Sequence, residues 1–180
     1  MNVMDHLKAL STEAIKNYCE DNCVDAAVAM THMEGDFNLS NVLRSTNFFG
    51  IREAFYIGGT KSYDRRGCVG VQNYTPITFC KTVEQFWEMV VNRGYTPIAI
   101  ENNIDYKCQS IFDFTWPSKP IILVGEERTG IPNEILDRCD YIVTIPSFGS
   151  VRSLNAASAA AIAISFFRRQ LEHKTDRVGH

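Results

Sequence analysis

The chain has 180 residues, 45% of them hydrophobic, and a formal net charge of −3 at pH 7 from 18 Lys and Arg against 21 Asp and Glu. That length buries one core and leaves no room for two domains of ordinary size, and no apolar run approaches the roughly 20 residues that cross a bilayer. The charge balance excludes a generally basic nucleic-acid binder, so any phosphate contact has to come from a few patterned Lys or Arg side chains.

Periodicity and turn residues predict the elements in chain order. A helix is expected over 5–20, a strand over 25–31, a helix over 39–49 and a strand over 53–57. A loop through Gly70 leads to a short extended piece near 75–79, a helix over 83–92 and a strand over 95–100. A loop with a turn around Ile111 precedes a strand over 119–124, a short helix over 133–138, a strand over 141–145 and a last helix over 154–171. Strands that alternate with helices imply an α/β fold with a parallel sheet flanked by helices on both faces. One domain is expected over 1–180, with an N-terminal helix at 1–22, a core at 24–171 and a tail at 172–180. Asp5, His6, Lys8 and Glu13 interrupt any signal-peptide apolar stretch, so the protein is expected in the cytoplasm. The six cysteines, Cys19, Cys23, Cys68, Cys80, Cys108 and Cys139, form no Cys-x-x-Cys pair and only four histidines accompany them. Neither a metal site nor a disulfide frame is expected, and Cys139 reads as a reduced packing residue.

Three segments carry chemistry. In the helix over 39–49, Leu39, Val42, Leu43, Thr46 and Phe49 recur with helical spacing and Gly50 ends the run. Ser40 and Asn41 precede Arg44 by one turn and are expected to share its polar face, with Asn38 at or just before the N-cap. The second segment is the apolar run Ile121-Ile122-Leu123-Val124, which enters a loop bounded by Gly125 and Gly130. The end of a buried strand leading into such a loop is where open α/β sheets place ligands. In the third, Pro146 and Gly149 break a strand, Ser153 or Asn155 can cap the Ala-rich helix that follows, and free backbone N–H groups face outward.

Together the segments resemble the SpoU/TrmH branch of the SPOUT superfamily, knotted S-adenosylmethionine-dependent methyltransferases that modify RNA ribose. The first family motif matches Asn38, Arg44 and Gly50; the second, Gly-x-Glu-x-x-Gly, matches Gly125, Glu127 and Gly130; the third matches Ser153, Leu154 and Asn155. The likeness runs from about Val24 to Leu171. It implies an α/β knot fold with a C-terminal deep trefoil knot, which no local pattern reveals. It also implies S-adenosyl-L-methionine as cofactor, held against the backbone near Ile100, Gly125, Ile145 and Leu154, and an RNA substrate.

Arg44 matches the family's catalytic arginine, Asn38 would hold it, Glu127 would fix the loop, and Ser153 and Asn155 would order the turn around the cofactor. Many relatives carry Gly where Ser40 stands, whereas tRNA-directed members often carry Ser. That difference and the lack of an extra N-terminal domain favour tRNA over rRNA, rRNA being the alternative. The best candidates for RNA contact are Arg128 and Arg152, with Lys61, Arg65 and Arg66; Arg52, Arg168, Arg169 and Lys174 are further cations. The last helix, with Ala156, Ala157, Ala159, Ala160, Ala161 and Ala163 beside Ile162, Ile164, Phe166 and Phe167, is apolar on most of its circumference. With the resemblance this implies a homodimer in which Arg44 of one subunit approaches the other's cofactor. The competing class is a non-catalytic SPOUT-like module that binds RNA or a nucleoside. A Rossmann-type dinucleotide enzyme is set aside, because no Gly-x-Gly-x-x-Gly follows the first strand.

Overall fold

The apolar runs become strands that all point the same way. The elements are α1 (Thr12–Asp21), β1 (Val24–Thr31), α2 (Phe37–Phe48), β2 (Ile51–Ile57), β3 (Ile77–Cys80) and α3 (Val83–Arg93). They continue as β4 (Thr96–Ile100), β5 (Gln109–Ser110), β6 (Pro120–Val124), α4 (Asn133–Leu136), β7 (Tyr141–Thr144) and α5 (Ala156–Asp176). The computed structural model describes residues 3–32, 37–58, 65–102 and 105–176. One sheet runs in the order β3-β2-β1-β6-β4-β7-β5, with every neighbouring pair parallel.

Alternation along the strands sorts their side chains into two cores. Ala26, Val28 and Met30 of β1, Ala54 and Tyr56 of β2, Ile98 and Ile100 of β4, and Ile122 and Val124 of β6 meet α2 and α5 on one face. Ala27 and Ala29, Phe55 and Ile57, Ala99, and Ile121 and Leu123 meet α3 and α4 on the other. A sheet covered on both faces needs strands that are apolar throughout, and β6 has all five residues buried. α5 rests on α2 and on the sheet through Ala156, Ala160, Ala163, Ile164 and Phe167. Small side chains let these helices approach closely. Cys139, packed against the second core, has its thiol pushed up to about 12 by burial, which keeps it protonated.

Several boundaries differ from the sequence expectation for local reasons. The helix expected over 5–20 is a 3-10 turn at Asp5–Leu7 followed by α1, because the Ser11 hydroxyl caps a new helix by accepting from Ala14 N–H (3.2 Å). β7 stops at Thr144 because both backbone groups of Ile145 bond to the Asn102 side chain instead of a strand. α5 begins at Ala156 rather than 154 and runs past Leu171 to Asp176, where Arg168 and Glu172 form a pair one turn apart (3.2 Å). β5 was not expected at all: two polar residues carry no strand signal, and the pairing comes from β7. The loops that leave β4, β6 and β7 therefore emerge side by side at one edge of the sheet.

Phe167 of α5 is fully buried and packs against Trp116, with ring centroids 6.0 Å apart. Phe167→Ala is expected to lower the unfolding free energy by about 3–5 kcal/mol, read as a drop in the urea midpoint at unchanged slope.

Candidate active site

Three side chains from distant parts of the chain meet where α2, the loop after β6 and the start of α5 converge. Asn38 Nδ2 donates to Glu127 Oε1 at 3.0 Å, and Asn155 Nδ2 donates to Asn38 Oδ1 at 2.8 Å and also to Glu127 Oε1. The Ala156 N–H adds a longer bond to the same carboxylate oxygen (3.4 Å). Asn155 is the helix cap: its Oδ1 accepts from Ala157 N–H (3.0 Å) and Ser158 N–H (3.2 Å). Ser153, the other cap candidate, is exposed, and the first backbone bond of α5 runs from Ala159 N–H to Asn155 O. A carboxylate at a helix N-terminus also faces the positive end of the helix dipole.

The cluster forms part of a wall between two cavities. One, of about 380 Å³, lies at the ends of β4, β6 and β7 and is lined by Ile100, Gly125, Glu127, Ile145, Ser153 and Leu154, among others. It falls within the ordinary size range of small-molecule sites, on the strand ends where parallel sheets bind ligands. All four expected cofactor contacts, Ile100, Gly125, Ile145 and Leu154, border it, as do Arg128 and Arg152. The other cavity, of about 1150 Å³, opens between α1, α2 and α5 and is lined by Asn41, Arg44, Phe48, Asn155 and Ser158, among others. Asn155 borders this second cavity and Glu127 the first, so their bond joins the two.

Backbone closure shapes the smaller cavity. The loop after β6 folds back so that Gly130 N–H donates to Glu126 O at 2.8 Å, and the Thr129 hydroxyl donates to the buried Glu126 carboxylate at 2.7 Å. A Cβ on Gly125 would lie 2.3 Å from the Gly130 carbonyl carbon, so the crossing admits only glycine. Gly130 has φ +68°, which an L side chain rarely adopts.

A model of the SpoU rRNA Methylase family matches residues 25–165. The chain belongs to that family. Over 149 residues it is 27% identical to the tRNA (guanosine(18)-2'-O)-methyltransferase of Thermus thermophilus, covering 81% of this chain and 75% of that one. It is 37% identical over 90 residues to the 23S rRNA (uridine(2479)-2'-O)-methyltransferase of Streptomyces viridochromogenes, covering 49% of this chain and only 31% of that enzyme. The crystal structure of the SpoU methyltransferase AviRb from Streptomyces viridochromogenes, in complex with the cofactor AdoMet, matches with a TM-score of 0.75 at 25% identity. That match covers 82% of this chain and 60% of the other.

Not every expected SpoU site residue lies where the sequence suggested. Ser40 is fully buried and accepts from the Cys68 thiol at 3.2 Å, so it does not share the exposed face of Arg44 and Asn41. A Cβ on Gly67 would come within 2.8 Å of the Ser40 Cβ, which explains a small residue here by packing rather than by ligand contact. Arg44 is exposed and borders the large cavity, whereas Arg52 is bonded to Asp25 at 2.7 Å and Arg168 to Glu172. Lys61 lies outside the described residues, as do the side chains of Arg65, Arg66 and Lys174.

Two further residues that line the strand-end cavity, Glu101 and Asn102, lie outside the three motifs of the sequence. Glu101 Oε2 accepts from Ile131 N–H and its Oε1 from Asn102 N–H, each at 2.9 Å, while Asn102 grips both backbone groups of Ile145 (2.7 and 3.0 Å). They tie the loops after β6 and β7 to the end of β4. The available signal was polar residues placed directly after an apolar strand.

Asn155 supplies both the helix cap and the donors to Glu127, and two substitutions separate these roles. Asn155→Ala removes the cap and the donor to Glu127 together and is expected to cost about 1–2 kcal/mol at neutral pH. Asn155→Asp keeps the cap but sets a second carboxylate against Glu127, so its deficit is largest at neutral pH. It narrows as acid protonates one of the pair, because a carboxyl whose folded pKa is raised binds its proton preferentially in the folded state. Urea denaturation of both variants across pH checks this.

Proposed function

We propose that the chain is an S-adenosylmethionine-dependent RNA methyltransferase that transfers a methyl group to a ribose 2′-hydroxyl. The observation that carries the reading is the bonding of Asn38, Glu127 and Asn155, one from each family motif, where Glu127 borders the strand-end cavity and Asn155 borders the larger one with Arg44. The cavity fits the cofactor in volume and chemistry: apolar side chains of Ile100, Val124, Ile145 and Leu154 suit an adenine, and strand-end loops supply polar groups. Bound there, S-adenosylmethionine would supply an electrophilic methyl group on a sulfonium.

The protein's part is position and charge. A ribose hydroxyl is a poor nucleophile, and a guanidinium carries a permanent charge, so that of Arg44 would stabilise the alkoxide that develops as the hydroxyl gives its proton up to solvent, with help from a neighbouring RNA phosphate. Asn38 ties the start of α2 to Glu127, Glu127 and Asn155 order the turn around the cofactor, and exposed Ser153 lines the cavity beside them. Arg128 and Arg152, at the rim of the cofactor cavity, are the proposed contacts to RNA phosphate. No divalent metal takes part, and transfer is expected to persist in a chelator.

The substrate is tRNA in this reading. Its support is the Thermus tRNA enzyme, which aligns over 81% of this chain where the rRNA enzyme aligns over 49%. The buried Ser40 does not read RNA directly. The family resemblance also leads us to propose the C-terminal trefoil knot; the placement of β4 between the later strands β6 and β7 and the return of α5 to α2 are compatible with that path.

We further place the enzyme as a homodimer. Arg44 borders one cavity and the cofactor contacts another, which suits a pair in which Arg44 of one subunit serves its partner's cofactor. Phe48, 83% exposed one turn beyond Arg44, gives an apolar surface for the second copy to cover. Light scattering at micromolar concentration is expected to give twice the chain mass, and a monomeric mass would refute the pairing.

Methyl transfer is tested with wild type and Arg44→Ala on unmodified tRNA and rRNA. Wild type should leave a gap in the alkaline-hydrolysis ladder of tRNA, since a 2′-O-methyl group cannot attack the adjacent phosphate. Arg44→Ala should bind the cofactor within a few-fold of wild type by calorimetry yet leave no gap. A gap in rRNA alone refutes the substrate, methyl incorporation without a gap refutes the ribose, and wild-type turnover by the variant removes Arg44 from the chemistry.

A further inference from the structure

We propose that Glu101 binds the ribose diol of the cofactor and sets the preference of the site for a ribonucleoside. The inference rests on the reading of the strand-end cavity as the cofactor site. Glu101 follows β4 directly and lines that cavity. Acidic side chains beyond a parallel strand are well placed to take nucleoside hydroxyls in α/β sheets generally.

The carboxylate is held but not used up. Oε2 accepts one bond from Ile131 N–H and Oε1 one from Asn102 N–H, both at 2.9 Å. An ionised carboxylate offers about four lone-pair directions. Each oxygen of Glu101 therefore keeps one acceptor direction among the described residues, which is the complement of two adjacent hydroxyl donors. The other carboxylates on this wall are less suited. Glu127 is committed to Asn38 and Asn155, and Glu126 is buried and takes the Thr129 hydroxyl.

The loop is built around this oxygen pair. A Cβ on Gly130 would stand 2.6 Å from Glu101 Oε2, so the glycine leaves room for the carboxylate where any other residue would displace it. Asn102, bonded twice to Ile145, fixes the backbone on which Glu101 stands.

The test crosses a change in the protein with a change in the ligand. Calorimetry is done with S-adenosylhomocysteine and with its 2′-deoxy and 3′-deoxy counterparts, on wild type, Glu101→Gln and Glu101→Asp. Wild type is expected to bind the ribose form at least tenfold more tightly than either deoxy form, the usual scale for a hydrogen bond to a charged group. In the variants the ribose form should weaken most, so that the preference shrinks to within about threefold. A wild type that binds all three ligands equally overturns the proposal. So does a variant whose affinities for all three fall in parallel, which would mark Glu101 as a loop pin alone. If wild type binds none of them, the cofactor reading of the cavity fails instead, and that outcome is distinct because it appears before any substitution is made.

Discussion

The Glu127 carboxylate at the amino end of α5 is the contact on which the site depends. It accepts from a side chain of α2, from the cap residue of α5 and from the first backbone N–H of that helix. Without it those donors would lose an anionic acceptor in the field of a helix dipole. Because Asn155 and Asn38 are also bonded to each other, the three side chains close a ring, and displacement of one strains the other two. Three chain segments separated by up to 117 residues are thereby fixed to one another.

That ring could not form without the sheet beneath it. Parallel strands deliver their loops to a common edge, and the order β6-β4-β7 sets the loops from three neighbouring strands beside each other although β4 comes first in the chain. Apolar residues with few large side chains on β1 and α5 keep the layers close, so the start of α5 and the start of α2 reach the same point. Core packing and site geometry are the same arrangement seen at two depths.

Much of this was legible because its causes are local. The amphipathic spacing of Leu39, Val42, Leu43 and Thr46 marks α2, the uninterrupted apolar run at Ile121 to Val124 marks a strand covered on both faces, and the Gly125 to Gly130 loop carries its own backbone requirement. What stayed hidden depends on partners far away in sequence. Ser40 looks like a surface residue by helical spacing, and only the packing of Gly67 and Cys68 buries it. Gln109 and Ser110 become a strand because β7 offers an edge. Glu101 and Asn102 look like ordinary polar loop residues until Ile131 and Ile145 are brought to them. Nor could periodicity choose between Ser153 and Asn155 as the cap of α5, since both types accept helix N–H bonds equally well.

The composition of the ring has an electrostatic consequence for Arg44. Elsewhere in the chain carboxylates hold guanidinium groups, Asp25 that of Arg52 and Glu53 that of Arg93. The donors to Glu127 are instead the neutral amides of Asn38 and Asn155. They satisfy the carboxylate without spending a positive charge, and among the described residues Arg44 enters no ion pair. On the proposed reading, an arginine that stabilises a developing anion has to reach the reaction with its charge unneutralised. In a chain of net charge −3, a carboxylate held by amides draws on none of the few guanidinium groups.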